Sequence, residues 1–272
     1  MKLQREKFCD TIGVTSYLEG LMLQITQLRL RPGEEKDLKS AVSKHLRIPA
    51  QDVFSARLLR LSVDARKRDD VRYVLSVAAG VKNEKAVLSK NKNRSVTAYE
   101  KSVPRLKTYD IPAPAHRPVV VGAGPAGLFA AMQLALAGAK PILLERGKDV
   151  DRRSADVELM RQKGMLDPES NVQFGEGGAG TFSDGKLHTG IKDGRLGAVL
   201  QMLVDAGAPE EILWRSEPHV GTDMLKIAVK GLRQRLTELG FVCEKIETTM
   251  KKFAEVLNKT VPVTFISGVA KN

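Results

Sequence analysis

The chain has 272 residues, of which 42% are hydrophobic and 28% are charged, and its formal net charge is +12. This length can bury at least one sizeable core and favours two domains. The amino terminus MKLQREKFCD lacks the apolar region of a signal peptide, and the only cysteines, Cys9 and Cys243, lie far apart without metal-ligand spacing. Since the four histidines are scattered as well, we expect a cytoplasmic protein without a metal site.

The first predicted elements form a small α+β domain. Ile25–Leu30 alternates in hydrophobicity as a strand does, and residues 34–46 place apolar side chains on one face of a helix. Two further strands are predicted at Val53–Val63 and Val71–Ala79, with a charged hairpin between them. This β-α-β-β order is similar to part of a ferredoxin-like domain, to which we assign residues 23–81.

The front part of the chain carries most of the positive charge. Residues 1–110 hold 23 basic and 13 acidic residues, whereas residues 111–272 hold 21 and 19. Such a surface can contact a polyanion, but a solvated hairpin tip explains the same charges. The sequence contains neither an RNP-like aromatic pair nor a zinc knuckle, so binding to RNA is only an alternative. The densest basic run comprises Arg57, Arg60, Arg66, Lys67, Arg68 and Arg72.

Residues 82–116 are predicted to be a linker. This stretch is polar at first and then rich in proline, which favours an extended connection. A domain boundary near residue 110 follows from this composition. Residues 1–22 lack clear periodicity before the first strand, and we assign them to an extension outside the fold.

Residues 119–145, VVVGAGPAGLFAAMQLALAGAKPILLE, have the pattern of a βαβ unit that binds a dinucleotide. Val119–Val121 has the pattern of a buried strand, which breaks into a glycine-rich turn. Gly122 permits the tight turn, Gly124 lets the backbone approach a pyrophosphate, and Gly127 lets the following helix pack close to the strand. The order and spacing of these elements predict a nucleotide site at the turn.

The second half of this unit indicates which nucleotide binds. The helix is predicted to end at Gly138, and the next strand, Pro141–Leu144, leads to Glu145. A carboxylate there can accept hydrogen bonds from ribose hydroxyls and repels a 2′-phosphate, so FAD or NAD fits better than NADP. Residues 118–144 are also long and apolar enough to span a bilayer, but glycines and Lys140 interrupt them.

A second glycine-rich segment follows a helix that is predicted to end near Gly164. Five glycines fall between residues 175 and 185, which is too many for a regular element. Such a loop can present consecutive N–H groups to an anion or lie flat against a planar ring, and the alternative is a flexible surface loop. Thr181 and Ser183 add hydroxyls, and Lys186 adds a positive charge. Two helices are predicted beyond the loop, one from Leu196 to Ala206 and one that Thr222 or Asp223 caps and Gly240 follows.

Several strings of the sequence together resemble a bacterial family of FAD-dependent dehydrogenases or oxidoreductases, which are flavoproteins with two dinucleotide-binding folds. The strings are VVVGAGPAGLFAA, ILLERG, NVQFGEGGAGTFSDGKL, AGAPEEIL and PHVGTDML, with QITQLRLRPGEE and SVDARKR in the front domain. The similarity runs from about Leu23 to Leu239. It implies an α/β protein in which a Rossmann-like parallel sheet that binds FAD follows the small ferredoxin-like α+β domain.

The resemblance also implies where FAD binds. Its pyrophosphate would lie at the first glycine-rich turn, its adenosine ribose at Glu145, and its flavin end near residues 175–186. The residues implied to bind FAD are Gly122, Ala123, Gly124, Pro125, Ala126, Gly127, Glu145, Arg146, Gly177, Gly178, Gly180, Thr181, Ser183 and Lys186.

The carboxyl-terminal part of the chain departs from this family. After Gly240, neither a second glycine fingerprint nor the family's closing Gly-Asp segment appears. We therefore assign residues 117–240 to the amino-terminal part of the FAD-binding domain and residues 241–272 to a divergent tail. An incomplete fragment of this kind is expected to leave the flavin end of the site open to water.

The resulting prediction is an oxidoreductase that passes hydride through FAD, with NAD(P)H as a candidate donor and an undefined substrate. Because the flavin supplies the chemistry, no acid–base pair is required, and the sequence identifies no catalytic side chain. Asp184 and Lys186 could polarise a flavin, or could be a turn residue and a solvated charge. Two alternatives remain: an NAD-dependent dehydrogenase, and a non-catalytic nucleotide-binding protein whose basic front domain binds RNA or an acidic partner.

Overall fold

A computed structural model describes residues 22–91, 95–100, 112, 114–187, 189–191, 193–240 and 242–245. The chain divides into two compact units. The first unit consists of Met1–Ser102 and Trp214–Ser216, and the second consists of Val103–Leu213 and Glu217–Asn272. The predicted extension, apart from Met22, lies outside the described residues.

The first unit contains four strands and two α-helices in the order β-α-β-β-α-β. They are β1 (Met22–Leu30), α1 (Leu38–Leu46), β2 (Val53–Asp64), β3 (Arg72–Val81), α2 (Glu84–Lys90) and β4 (Val96–Tyr99). The strands form one antiparallel sheet in the order β2-β3-β1-β4. The ferredoxin-like assignment of this domain stays a prediction.

Local sequence accounts for the first strand and helix. Alternate residues of β1, including Leu23 and Ile25, are fully buried in the core, as the alternating pattern predicts. Helix α1 begins at Leu38, later than predicted, because the Asp37 side chain accepts a hydrogen bond from the Ser40 N–H at 3.0 Å. Residues Glu34–Lys36, at the predicted start of this helix, form a separate 3-10 turn.

The linker prediction is wrong at its amino-terminal end. Helix α2 and strand β4 fall within residues 82–116, and β4 pairs antiparallel with β1. The error has a physical reason, since this segment contributes few buried apolar side chains, among them Val87 and Val96. A short surface helix and an edge strand therefore have nearly the composition of a linker.

The second unit begins with the βαβ unit and continues through helices. It contains β5 (Val119–Val121), α3 (Pro125–Leu136), β6 (Ile142–Glu145), α4 (Val150–Lys163), α5 (Arg195–Asp205), α6 (Thr222–Glu238) and β7 (Val242–Lys245). Two 3-10 turns, Ala179–Phe182 and Glu210–Leu213, lie between helices. The strands form a parallel sheet in the order β5-β6-β7, with Val120 opposite Leu143.

The predicted strand, helix and strand of the βαβ unit are confirmed, and the bilayer alternative for residues 118–144 is wrong. Helix α3 has 12 residues and ends before Gly138, whose φ of 84° is left-handed. Within the described ranges, no helix combines the length and the apolar character needed to cross a bilayer.

Burial of the first strand differs from the prediction. Val120 packs against the core of the unit, but Val119 is 55% exposed and Val121 is 73% exposed. Among the described strands, β5 lies at an edge of the sheet, and the side chains of Val119 and Val121 point to the face opposite Val120. The apolar run therefore marks a strand that buries one face rather than two.

The proposed start of a divergent tail at residue 241 also needs correction. Val242–Lys245 forms β7, which pairs parallel with β6 and so continues the sheet. A strand belongs at this point because α6 ends at Glu238 and Gly240, with a φ of 81°, turns the chain. Residues 246–272 lie outside the described residues.

Candidate dinucleotide site

The first glycine-rich turn joins β5 to α3, and two of its glycines are required by the backbone. Gly122 has a φ of 92°, which side chains with a Cβ rarely adopt. A Cβ on Gly127 would lie 1.8 Å from the carbonyl oxygen of Gly122. The close packing of helix on turn that the sequence predicts is therefore present.

Gly124 differs from these two glycines because the space in front of it is open. No atom of the described residues lies within 4 Å of the position that a Cβ on Gly124 would occupy. Gly124 is the N-cap residue of α3 and Pro125 is its first residue, so no side chain caps this helix end. The N–H groups and the dipole of the first helical turn favour an anion at this position.

Glu145 ends β6 beside this turn, and both of its carboxylate oxygens accept backbone hydrogen bonds. The Ala123 N–H donates to Oε2 at 2.6 Å, and the Gly147 N–H donates to Oε1 at 2.8 Å. The carboxylate therefore fixes the two neighbouring turns. Each oxygen has a further lone pair with which it can accept a hydrogen bond from a ribose hydroxyl.

The second glycine-rich segment, residues 175–185, packs directly against the first. The Gly177 N–H donates to the Ala123 carbonyl at 2.7 Å, and a Cβ on Gly178 would lie 3.1 Å from Cδ of Pro125. A Cβ on Gly147 would lie 2.5 Å from Cα of Gly175. The structure thus brings together the two glycine-rich segments and the turn after Glu145.

Several backbone N–H groups of the second segment bond within the segment itself. The sequence suggests that this loop presents consecutive N–H groups to an anion or lies flat against a planar ring. The N–H groups of Gly178, Thr181 and Ser183 donate to carbonyl oxygens of the same segment at 3.0 to 3.3 Å. The bonds of Thr181 and Ser183 belong to the 3-10 turn of residues 179–182, and the segment forms a wall beside the first turn.

Arg153 holds this wall in place, a role that no pattern in the sequence indicates. The side chain is fully buried on α4, and its guanidinium lies 4.6 Å from the centre of the Phe182 ring. Burial lowers the pKa of the Arg153 guanidinium. The guanidinium donates hydrogen bonds to backbone carbonyls, those of Asn171, Val172, Gly175, Glu176 and Gly178.

Glu176 is a second buried group that sequence patterns do not single out. Its carboxylate accepts hydrogen bonds from the Val150 N–H at 2.8 Å and from Nη1 of Arg233 at 2.9 Å. Burial raises the pKa of this carboxyl, and the two donors oppose that rise. Glu176 therefore joins the loop to α4 and α6.

The remaining predicted polar residues have protein partners or are buried. Thr181 is fully buried, so its hydroxyl lies inside the protein. The Ser183 hydroxyl donates to the Gly180 carbonyl at 3.0 Å. Lys186 forms an exposed ion pair with Asp184 at 2.9 Å, which raises the pKa of Lys186 and lowers that of Asp184.

Arg146 lies next to Glu145 at the edge of the site. Its Nε is 2.7 Å from Oε2 of Glu169, and its guanidinium lies 5.2 Å from the centre of the Phe174 ring. Both partners are at the surface. Arg146 directly follows Glu145 in the chain, but in this structure its guanidinium stacks on the Phe174 ring.

The candidate site has the features that an adenine dinucleotide requires. Such a ligand needs free space at the second glycine of the turn, an uncapped helix end and a carboxylate at the end of the next strand. Gly124, α3 and Glu145 meet these requirements. Gly180 is similarly open, since a Cβ added there would meet no atom of the described part of the chain within 4 Å. The residues present therefore fit the group.

Comparisons with known proteins agree with this geometry. Residues 117–156 match a family described as an FAD binding domain. Residues 22–80 match a domain of unknown function, DUF8436. An uncharacterized protein of Clostridium beijerinckii is 47% identical over 206 residues, which cover 75% of this chain.

The match to the Clostridium beijerinckii protein covers only 38% of that protein's length. The family match to an FAD binding domain is confined to the βαβ unit and the first residues of α4. The family match supports an FAD-binding domain at the position of the candidate site.

Proposed function

We propose that the second unit binds FAD and belongs to an oxidoreductase of the cytoplasm that transfers hydride through the flavin. The observation that carries this proposal is the open space at Gly124, which lies at the uncapped end of α3 beside Glu145. The match of residues 117–156 to an FAD binding domain supports the same ligand.

In this proposal the two halves of the adenosine diphosphate have separate sites. The pyrophosphate lies over Gly124, where the first N–H groups of α3 donate to its oxygens. The ribose hydroxyls donate to the Glu145 carboxylate, which the Ala123 and Gly147 N–H groups hold in place. A 2′-phosphate would meet the same carboxylate and be repelled, so NADP is a poor ligand.

The loop of residues 175–186 is proposed to lie towards the flavin. When bound, FAD supplies the hydride chemistry, and the chain contributes position and electrostatics. Gly180 leaves room for a planar group, and Lys186 with Asp184 forms a nearly neutral pair at the rim of the loop. NAD(P)H as the electron donor is part of the proposal, whereas no described side chain indicates the substrate.

The alternative of a basic front domain that binds RNA receives little support from its contacts. Arg66 pairs with Asp64 at 2.7 Å, and Arg72 pairs with Asp70 at 2.5 Å. These acids neutralise part of the charge that suggests a polyanion. FAD binding is therefore better supported than RNA binding.

Equilibrium dialysis of the purified chain against FAD, ADP-ribose, NAD and FMN tests the proposal. FAD and ADP-ribose should bind, and FMN should not compete, because FMN lacks the adenosine half that Glu145 and Gly124 recognise. Retained FAD should give a visible flavin spectrum. If NAD binds tightly and FAD does not bind, the result would favour an NAD-dependent dehydrogenase instead. If no adenine nucleotide binds, the result would reject the site.

A further inference from the structure

Arg153 has more hydrogen bonds to the second glycine-rich segment and the residues before it than ordinary helix packing requires. Its Nη1 donates to the carbonyl oxygens of Glu176 at 2.6 Å and Gly178 at 2.9 Å. Its Nε and Nη2 donate to the carbonyls of Asn171 at 2.7 Å and Val172 at 3.0 Å. The planar guanidinium thus fixes the chain at both ends of residues 171–178.

The same segment contacts the first glycine-rich turn. Gly177, which lies between two residues whose carbonyls Arg153 binds, donates its N–H to the Ala123 carbonyl. Ala123 in turn donates its own N–H to Glu145. One chain of hydrogen bonds therefore leads from Arg153 through the loop to the residue between Gly122 and Gly124.

The packing around Arg153 leaves little room for another conformation. A Cβ on Gly175 would lie 2.6 Å from Cδ of Arg153, and the Phe182 ring covers the guanidinium. Loss of the guanidinium would remove the donor that Arg153 supplies to the carbonyls of Asn171, Val172 and Glu176, which costs free energy and favours rearrangement of the loop.

We propose that Arg153 is a positioning residue for the dinucleotide site, which sets the loop of residues 171–178 against the Gly122–Gly127 turn that binds the pyrophosphate. This inference rests on the proposed function, because it assumes that the turn binds the pyrophosphate of an adenine dinucleotide. Arg153 acts through the loop and does not itself touch the ligand. Its effect is therefore larger on a ligand that reaches the turn than on one that contacts only Glu145, which lies further along the same chain of hydrogen bonds.

The test compares ADP-ribose with adenosine, since adenosine lacks the pyrophosphate and reaches only the ribose site. Arg153→Met and Arg153→Lys are compared with the wild type and with Arg161→Met, a substitution of an exposed arginine on the same helix. We expect Arg153→Met to weaken ADP-ribose binding about tenfold and to weaken adenosine binding clearly less. Arg153→Lys should recover only part of this loss, because an ammonium group cannot replace the planar fork, and Arg161→Met should behave as wild type.

Equal losses for both ligands, or full recovery in Arg153→Lys, would overturn the inference. Amide hydrogen exchange provides a second measurement if Arg153→Met fails to fold. In Arg153→Lys, exchange should be faster at Gly177 and unchanged in the last turns of α6, and an unchanged rate at Gly177 would also overturn the inference. Because this measurement uses no ligand, it separates a failure of the Arg153 role from a failure of the wild type to bind any adenine nucleotide, which would reject the proposed function.

Discussion

The Gly177 N–H donates to the Ala123 carbonyl at 2.7 Å, and this bond joins two glycine-rich segments that are far apart in sequence. Ala123 is 2% exposed, so the contact lies inside the protein. Its position next to Gly124 means that the second segment forms one wall of the space where a pyrophosphate is proposed to bind. The two segments therefore pack against each other beside this space.

The first prediction concerns the packing of the turn on α3. Gly127→Ala should destabilise the protein by about 3 kcal/mol or more, because backbone atoms must move to admit the new Cβ. Urea unfolding measures the loss. Gly194→Ala is the control, since its Cβ meets no atom of the described residues within 4 Å and should change stability little. Equal stability of the two variants would contradict the steric role of Gly127.

A second prediction concerns the selectivity of Glu145. The wild type should bind ADP-ribose far more tightly than its 2′-phosphorylated analogue, because the carboxylate repels the added phosphate. Glu145→Gln should narrow this ratio by about tenfold, which corresponds to about 1.4 kcal/mol. Isothermal titration with both ligands gives the ratio. A ratio that is the same in both proteins would place the ribose elsewhere.

A third prediction follows from the buried carboxyl of Glu176. Burial raises its pKa in the folded protein, so its stabilising contribution is fully present below the unfolded pKa and is lost as pH rises through the folded pKa. The stability of the wild type relative to Glu176→Gln should therefore fall as pH rises above about 4, the ordinary pKa of glutamate. Urea unfolding at a series of pH values measures the difference. A rise instead would mean that the ion pair with Arg233 outweighs the desolvation.

A fourth prediction concerns the front domain. Residues 22–100 should fold cooperatively when expressed alone, because their strands pair with one another and enclose a core that includes Leu23, Val42 and Val77. Thermal unfolding followed by circular dichroism provides the measurement. The Leu61 N–H donates to the Trp214 carbonyl at 2.7 Å, so the isolated fragment should melt somewhat lower than this unit in the full chain. A fragment without a cooperative transition would argue against the boundary.

Sequence patterns identify those features of the candidate site that depend only on local structure. Gly122 and Gly127 are determined by the conformation and packing of one turn, and Gly138 by the end of one helix, so spacing alone locates them. Arg153 cannot be found in this way. An arginine in a polar helix usually points to solvent, and its role depends on how a distant loop folds over it.

Sequence patterns also do not predict which residues of a strand are buried or which acceptors the N–H groups of a loop bind. Val119 and Val121 are the same residue type as Val120, and they are exposed because they lie on the opposite face of the strand from the core that Val120 contacts. Likewise, a run of glycines does not specify whether its N–H groups face a ligand or close a 3-10 turn, as they do near Thr181. Both features depend on tertiary contacts.

The most direct test of FAD binding at this turn is an FAD titration of the wild type, Gly124→Val and the control Gly194→Val. The space at Gly124 is open and its backbone conformation is extended, so valine should fold normally there while filling the place of the pyrophosphate. We predict that the wild type and Gly194→Val bind FAD and that Gly124→Val does not, with unchanged unfolding midpoints. Equal FAD affinity in all three folded proteins would contradict the proposed site.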